Sequence, residues 1–87
     1  MGKVRNVELL AELLKRLKDL ECISSVEVVN IPEDVEADIG LKMWVEPGCK
    51  WQDVLEKVND IIWELFEETG ELLAVYKDFE NAVYINK

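Results

Sequence analysis

Apolar residues near the start of the chain recur at helical spacing. In VELLAELLKRLKDL, four of them follow one another at intervals of three or four residues: Val7, Leu10, Leu14 and Leu17. Three further leucines flank this row: Leu9, Leu13 and Leu20. The pattern predicts an amphipathic helix over about residues 5–20, with Leu10, Leu14 and Leu17 facing the core.

Two strand-like segments follow this helix. ISSVEVVNI (23–31) is rich in β-branched residues, although the alternation leaves open which of its faces is buried. ADIGLKMWVE (37–46) alternates strictly and predicts a strand with one buried face, made of Ile39, Leu41, Met43 and Val45. Lys42 and Trp44 then point the other way, and Pro47 and Gly48 end the strand.

The second half of the chain predicts another helix and then two strands. WQDVLEKVNDIIWELFEETG (51–70) carries an apolar stripe that includes Val58, Ile62 and Leu65, and Gly70 suits the residue after a helix end. ELLAVYKD (71–78) and NAVYIN (81–86) flank the turn-like residues DFEN (78–81), which predicts a terminal hairpin.

The predicted element order is α-β-β-α-β-β. Each helix and the clearest strand has one apolar face that must be buried. All of these faces are buried when two helices pack on one face of a four-stranded antiparallel sheet. The fold class is therefore α+β, in a single domain over residues 1–87. The topology is similar to a ferredoxin-like βαββαβ arrangement with its first strand moved to the end. The last strand is then central, between the 37–46 and 71–78 strands.

The composition excludes some classes of function but does not identify one. Hydrophobic residues make up 49% of the chain, which favours a folded globule. Nineteen acidic against ten basic residues give a net charge of −9, which opposes nucleic-acid binding and favours a basic protein partner. Without a signal-like or membrane-spanning stretch, we expect a cytoplasmic protein, and the Glu- and Lys-rich charged set resembles thermophile proteins.

Two cysteines invite a chemical interpretation. Cys49 precedes the second helix, where the helix dipole and Lys50 favour a thiolate, but the chain has no histidine and no C-x-x-C motif. Catalysis by a Cys–His pair is therefore excluded. Cys22 and Cys49 should lie close together at one end of the predicted hairpin. We expect both to be structural and reduced, with a disulfide as the alternative.

A run of carboxylates raises the question of a metal site. Glu33, Asp34, Glu36 and Asp38 fall within six residues, yet they lack the glycine and the distal glutamate of an EF-hand loop. The segment ADIGL resembles the nucleotidyltransferase strand that carries Asp-x-Asp. Gly40 replaces the second acid, and no Gly-Ser pair is present. We therefore expect a solvated loop and no metal or other cofactor.

Aromatic residues suggest an interface. Trp44, Tyr76 and Tyr84 fall on the predicted open face of the sheet, and Trp63 lies off the apolar stripe of the second helix. Exposed aromatic side chains are typical of protein interfaces. We expect a small, acidic interaction module without catalytic activity that forms a homodimer through its open sheet face. The alternative is a small metal-dependent enzyme domain that uses the acidic segment at residues 33–38.

Overall fold

The computed structural model describes residues 7–82, in which two helices and three strands form. The elements in chain order are α1 (Val7–Lys18), β1 (Ile23–Val29), β2 (Ile39–Val45), α2 (Trp51–Thr69) and β3 (Val75–Asn81). The described part is therefore α+β, as expected. The element order is α-β-β-α-β, and neither helix has the length and apolar character of a membrane span.

β2 is the central strand of a mixed sheet with the order β1-β2-β3. It pairs antiparallel with β1 and parallel with β3, so that Leu41 lies opposite Val28 on one side and Lys77 on the other. The predicted four-stranded antiparallel sheet is wrong for this reason. No strand separates β2 from β3, and the expected last strand falls mostly on residues 83–87, outside the described residues.

The length of α2 explains the direction of β3. Nineteen helical residues span about 28 Å, more than the roughly 23 Å of a seven-residue strand. The helix therefore returns the chain to the end at which β2 starts, and the next strand runs parallel to β2.

The predicted turn at residues 78–81 is strand in the structure. Asp78 and Asn81 resemble turn residues, but Phe79 lies opposite Met43 and contacts the ring of Trp51, with 5.9 Å between ring centroids. This packing carries β3 through to Asn81 along the full length of β2. The edge of β2 that the fourth strand needed is thus occupied by β3.

The core lies between the two helices and one face of the sheet. All four residues predicted for the inner face of β2 are buried, together with Val58, Ile62 and Leu65 of α2. Within α1, however, the buried residues are Leu9, Leu13 and Leu17. Leu10 and Leu14 are only partly buried and Val7 is exposed, because many leucines on one helix allow more than one stripe and packing selects between them.

An arginine joins the two helices at the surface. The guanidinium of Arg16 on α1 donates to Glu68 of α2 at 2.8 Å and to Glu12 on its own helix at 2.9 Å. The bond from Arg16 holds the pKa of the Glu68 carboxyl below its ordinary value. The bridge therefore orients α1 against the second half of α2, where Glu64 also lies 3.7 Å from Arg16.

The loop between β1 and β2 folds back over the sheet near Gly40. A Cβ atom at this glycine would lie 2.7 Å from the carbonyl oxygen of Val29 and 3.3 Å from the side chain of Ile31. Beside it, the backbone N–H of Asp38 donates to the carbonyl of Ala74 at 2.7 Å, and the Asp38 carboxylate accepts from the N–H of Ala74 at 2.9 Å. These contacts join the loop to the start of β3.

Replacing Gly40 should test this close approach. Gly40→Ala should lower the free energy of unfolding by about 1–3 kcal/mol, because the new methyl group meets a backbone oxygen that cannot rotate away. Urea denaturation measures the change. Ser25→Ala, at an exposed position of β1, is the control and should change it by less than about 0.5 kcal/mol. A Gly40→Ala variant as stable as the wild type would contradict the packing described.

The Arg16–Glu68 bridge predicts a pH dependence. Because folding favours the ionised form of Glu68, its contribution to stability is present above the ordinary carboxyl pKa of 4.5 and is lost as the pH falls through the lowered value. The ¹³C NMR titration of the Glu68 carboxyl should have a midpoint below 4.5, and Arg16→Met should raise it. Lys15→Met is the control that should leave this midpoint unchanged, and an identical midpoint in Arg16→Met would refute the bridge.

Candidate functional site

Within residues 7–82, the helices cover one face of the sheet and leave the other open. Lys42 lies at the centre of this open face, with Glu27 of β1 and Asp78 of β3 directly opposite it on the neighbouring strands. Its ammonium group contacts the Glu80 carboxylate at 3.0 Å and lies 5.2 Å from the centre of the Trp44 ring. The Lys42 ammonium group therefore interacts with both the Glu80 carboxylate and the Trp44 ring.

The charges of the open face are predominantly negative. Glu27, Asp78 and Glu80 surround the single ammonium group of Lys42, and the hydrogen bond to Glu80 raises the pKa of that lysine. The side chains of Glu27 and Asp78 make no hydrogen bond or ion pair within 7–82, although both carboxylates contribute to the raised pKa of Lys42. Two carboxylates thus remain available on either side of the central strand.

The predicted aromatic strip is not continuous. Trp44 lies opposite Glu80, and Tyr76 lies opposite Gly40, so the two positions are four residues, or about 13 Å, apart along the sheet. Both side chains are partly buried on the open face. Lys42 and Asp78 occupy the space between them, and Tyr84 lies outside the described residues.

The two cysteines form a disulfide, where free thiols were expected. Their Cα atoms are 5.9 Å apart, because Cys22 directly precedes β1 and Cys49 follows the end of its partner strand β2. Residues 46–49 form a turn in which the N–H of Cys49 donates to the carbonyl of Glu46 and Gly48 has a φ of 92°. Pro47 and Gly48 suit the second and third positions of such a turn.

This disulfide holds the start of α2. Lys50 occupies the N-cap position and provides no side-chain hydrogen bond to the helix. The turn and the covalent link to Cys22 fix the entry into the helix instead. A bonded cysteine has no thiolate, so Cys49 in this state has no nucleophilic chemistry to offer.

The acidic segment at residues 33–38 does not form a metal site in the structure. Glu33, Asp34 and Glu36 are exposed, and both backbone and side chain of Asp38 are engaged by Ala74. Within residues 7–82, no three acidic or cysteine side chains converge in a way that could hold a metal ion. Asp38 therefore serves to join the loop to β3.

A second surface lies between the helix and the edge strand. We call it the α2–β3 groove: a concave region of about 500 Å³ lined by Ile62 and Trp63 of α2, Leu72 and Leu73 of the connection, and Val75 and Lys77 of β3. Trp63 is 56% exposed and stands edge-on to Phe66, with 5.6 Å between ring centroids. Trp63 is thus on the helical side of the sheet, away from Trp44.

Lys77 lines the α2–β3 groove, although the sequence did not predict it as a site residue. Lys77 has the same parity as Val75 and Phe79 in β3, and all three lie opposite buried residues of β2. Because side chains alternate along a strand, placing Tyr76 on the open face places Lys77 on the helix-facing side. Lysines are rare at such buried positions, so this placement could have marked Lys77 as a candidate site residue. The exposure of Leu72 could not be predicted from the sequence, because it depends on how the connection after α2 folds.

The comparisons with known proteins give no family. The sequence matches no protein family model, and a search of curated proteins found no similar chain.

Removing the disulfide should destabilise the protein. The bond closes a loop with a sequence separation of 27 residues, so the Cys22→Ser/Cys49→Ser variant should lose about 3.5 kcal/mol of unfolding free energy. Urea denaturation followed by tryptophan fluorescence measures this loss. Reductant should shift the wild type towards the variant and leave the variant unchanged. Two thiols that react in the native wild type, or equal stabilities, would show that the bond is not formed.

Proposed function

We propose that this protein is a non-catalytic interaction module that binds a partner through the open face of its sheet. The observation that supports this proposal is the arrangement around Lys42, where three carboxylates from the two flanking strands accompany a partly buried tryptophan. Aromatic side chains provide contact area, and charged groups around them provide selectivity. None of the described side chains on this face forms a pair of nucleophile and base.

The partner that this face fits best is a basic protein surface. Within 7–82, the only cation near the Glu27 and Asp78 carboxylates is Lys42, and its ammonium forms its ion pair with Glu80. Lysine or arginine side chains from the partner would pair with these two carboxylates and place their aliphatic parts near Trp44. The overall charge of −9 would attract such a partner at a distance.

A homodimer through the same face is the competing proposal. Trp44 and Tyr76 offer apolar area to a second copy, as the sequence analysis expected. A two-fold arrangement, however, brings the same acidic face of both copies together. Like charges placed opposite each other oppose association, so we favour the basic partner over the second copy.

The proposed location is the cytoplasm of a thermophilic organism. Disulfides are rare in the cytosol of mesophiles but common in the intracellular proteins of hyperthermophiles. The Glu- and Lys-rich composition agrees with that setting. Together these two features allow a cytoplasmic location for a disulfide-bonded chain.

A titration with a basic peptide tests the open face. An octapeptide of alternating arginine and alanine should shift the Trp44 indole resonance and the amides of β2 in ¹H–¹⁵N NMR spectra. Glu27→Gln/Asp78→Asn should weaken binding about tenfold, because two charge-assisted contacts are lost. Higher salt should weaken wild-type binding.

Controls separate this face from general acidity and from self-association. Glu56→Gln/Glu67→Gln removes two carboxylates from the exposed side of α2 and should leave the affinity nearly unchanged. Shifts that cluster on α2 would contradict the proposal. Light scattering on the wild type and on Trp44→Ala measures the oligomeric state, and a dimer that Trp44→Ala dissociates would assign the face to a second copy.

A further inference from the structure

The α2–β3 groove exposes apolar surface beside α2, and Tyr76 is the lining residue that it shares with the open face. Five large hydrophobic side chains within 7–82 are exposed, and two of them, Trp63 and Leu72, line this groove. Trp63 on the helix is 56% exposed, and Leu72 on the connection after it is 52% exposed. Neighbouring apolar residues of this size favour an occupant with apolar side chains.

A lysine that has no carboxylate partner among residues 7–82 lies in the same groove. Three basic side chains within 7–82 are partly buried: Arg16, Lys42 and Lys77. Arg16 and Lys42 each contact carboxylates, whereas the ammonium of Lys77 bonds only the carbonyl of Val75, at 3.3 Å. Burial lowers the pKa of Lys77, so the charged form loses hydration without gaining a counterion. An external carboxylate would provide that counterion.

The strand beside the groove offers a place for a further strand. β3 pairs with β2 along one edge, and no strand within 7–82 pairs with its other edge. An edge of this kind presents backbone donors and acceptors that an extended peptide can match. The side chains of such a peptide would alternate between the groove and the open face.

We propose that the α2–β3 groove binds an extended peptide segment of a partner protein. The segment adds as a strand to the outer edge of β3, packs apolar side chains against Trp63 and Leu72, and pairs one carboxylate with Lys77. Glu36, exposed at the rim, is the one acidic side chain of the lining and limits the attraction for carboxylates to the vicinity of Lys77.

The remaining segments of the chain fit this groove less well. Residues 1–6 and 83–87 contain the basic residues Lys3, Arg5 and Lys87 and no aspartate or glutamate. They would bring further cations to Lys77. A partner peptide with an acidic residue among apolar ones is complementary to the groove in both respects.

Selection from displayed peptides tests the proposal. A library of random decapeptides on phage is selected against the full-length protein, and the recovered peptides are synthesised. We expect a shared pattern of apolar residues around one glutamate or aspartate. The peptides should shift the Trp63 indole and the amides of β3 in NMR spectra. Replacing their acidic residue by its amide should weaken binding about tenfold.

Protein variants locate the contact. Lys77→Met and Trp63→Ala should each weaken binding about tenfold, whereas Lys57→Met, which removes an exposed lysine of α2, should change it less than twofold. Equal urea midpoints within this set show that lost binding is not lost folding. Glu27→Gln/Asp78→Asn should have no effect, so the groove can fail or succeed independently of the open face.

Three outcomes would overturn the proposal. One is a selection that enriches no peptide, or only peptides that bind Lys77→Met as well as the wild type. Another is a set of shifts confined to the open face. The third is a set of nuclear Overhauser contacts in the free protein between the Trp63 ring and residues 1–6 or 83–87, which would show that the groove is filled by the chain itself.

Discussion

The direct parallel pairing of β2 with β3 is the constraint on which the rest of the structure depends. It places β2 at the centre, with both edges hydrogen-bonded and its helix-facing row buried under α1 and α2. A parallel connection requires a crossover, and α2 is the segment that makes it. The paired contacts of Asp38 with Ala74 set where β3 begins, and Trp51 packs on Phe79 near its other end. The register is thus held at both ends of the pair.

This arrangement also separates the two surfaces. Since both helices lie on one side of the sheet, Lys42 and Trp44 of the central strand face outward on the other side. β3 then forms an edge, and its helix-facing residue Lys77 lies at the margin of α2, where the layer above the sheet ends. A fourth strand between β2 and β3 would have moved this lysine away from the central strand. The open face and the groove are therefore two consequences of one strand order.

The spacing of apolar residues correctly predicted those buried faces that depend on one helix or strand alone. Strict alternation identified the buried row of β2, and the spacing of Val58, Ile62 and Leu65 identified the inner face of α2. The leucine-rich α1 offered two stripes, and only packing against β1 and α2 selects Leu9 and Leu13 over Leu10 and Leu14. DFEN was read as a turn, because nothing in four residues shows that Phe79 will meet Trp51 from 28 positions earlier. The pairing of β1 with β2 did predict that Cys22 and Cys49 lie close together, and only the expectation that both stay reduced was wrong.

Two residues break the local rules of a β-strand, and they differ in what explains them. Gly40 is a poor strand residue, but a backbone oxygen of Val29 fills the space that a side chain would need. Lys77 is a poor residue for the helix-facing side, and nothing within 7–82 neutralises it. A methionine there would keep the contacts of the aliphatic chain without the loss of hydration that lowers the lysine pKa. Departures without an internal compensation are typical of functional sites. Gly40 is thus explained by the fold itself, whereas Lys77 is not explained by any of the residues within 7–82.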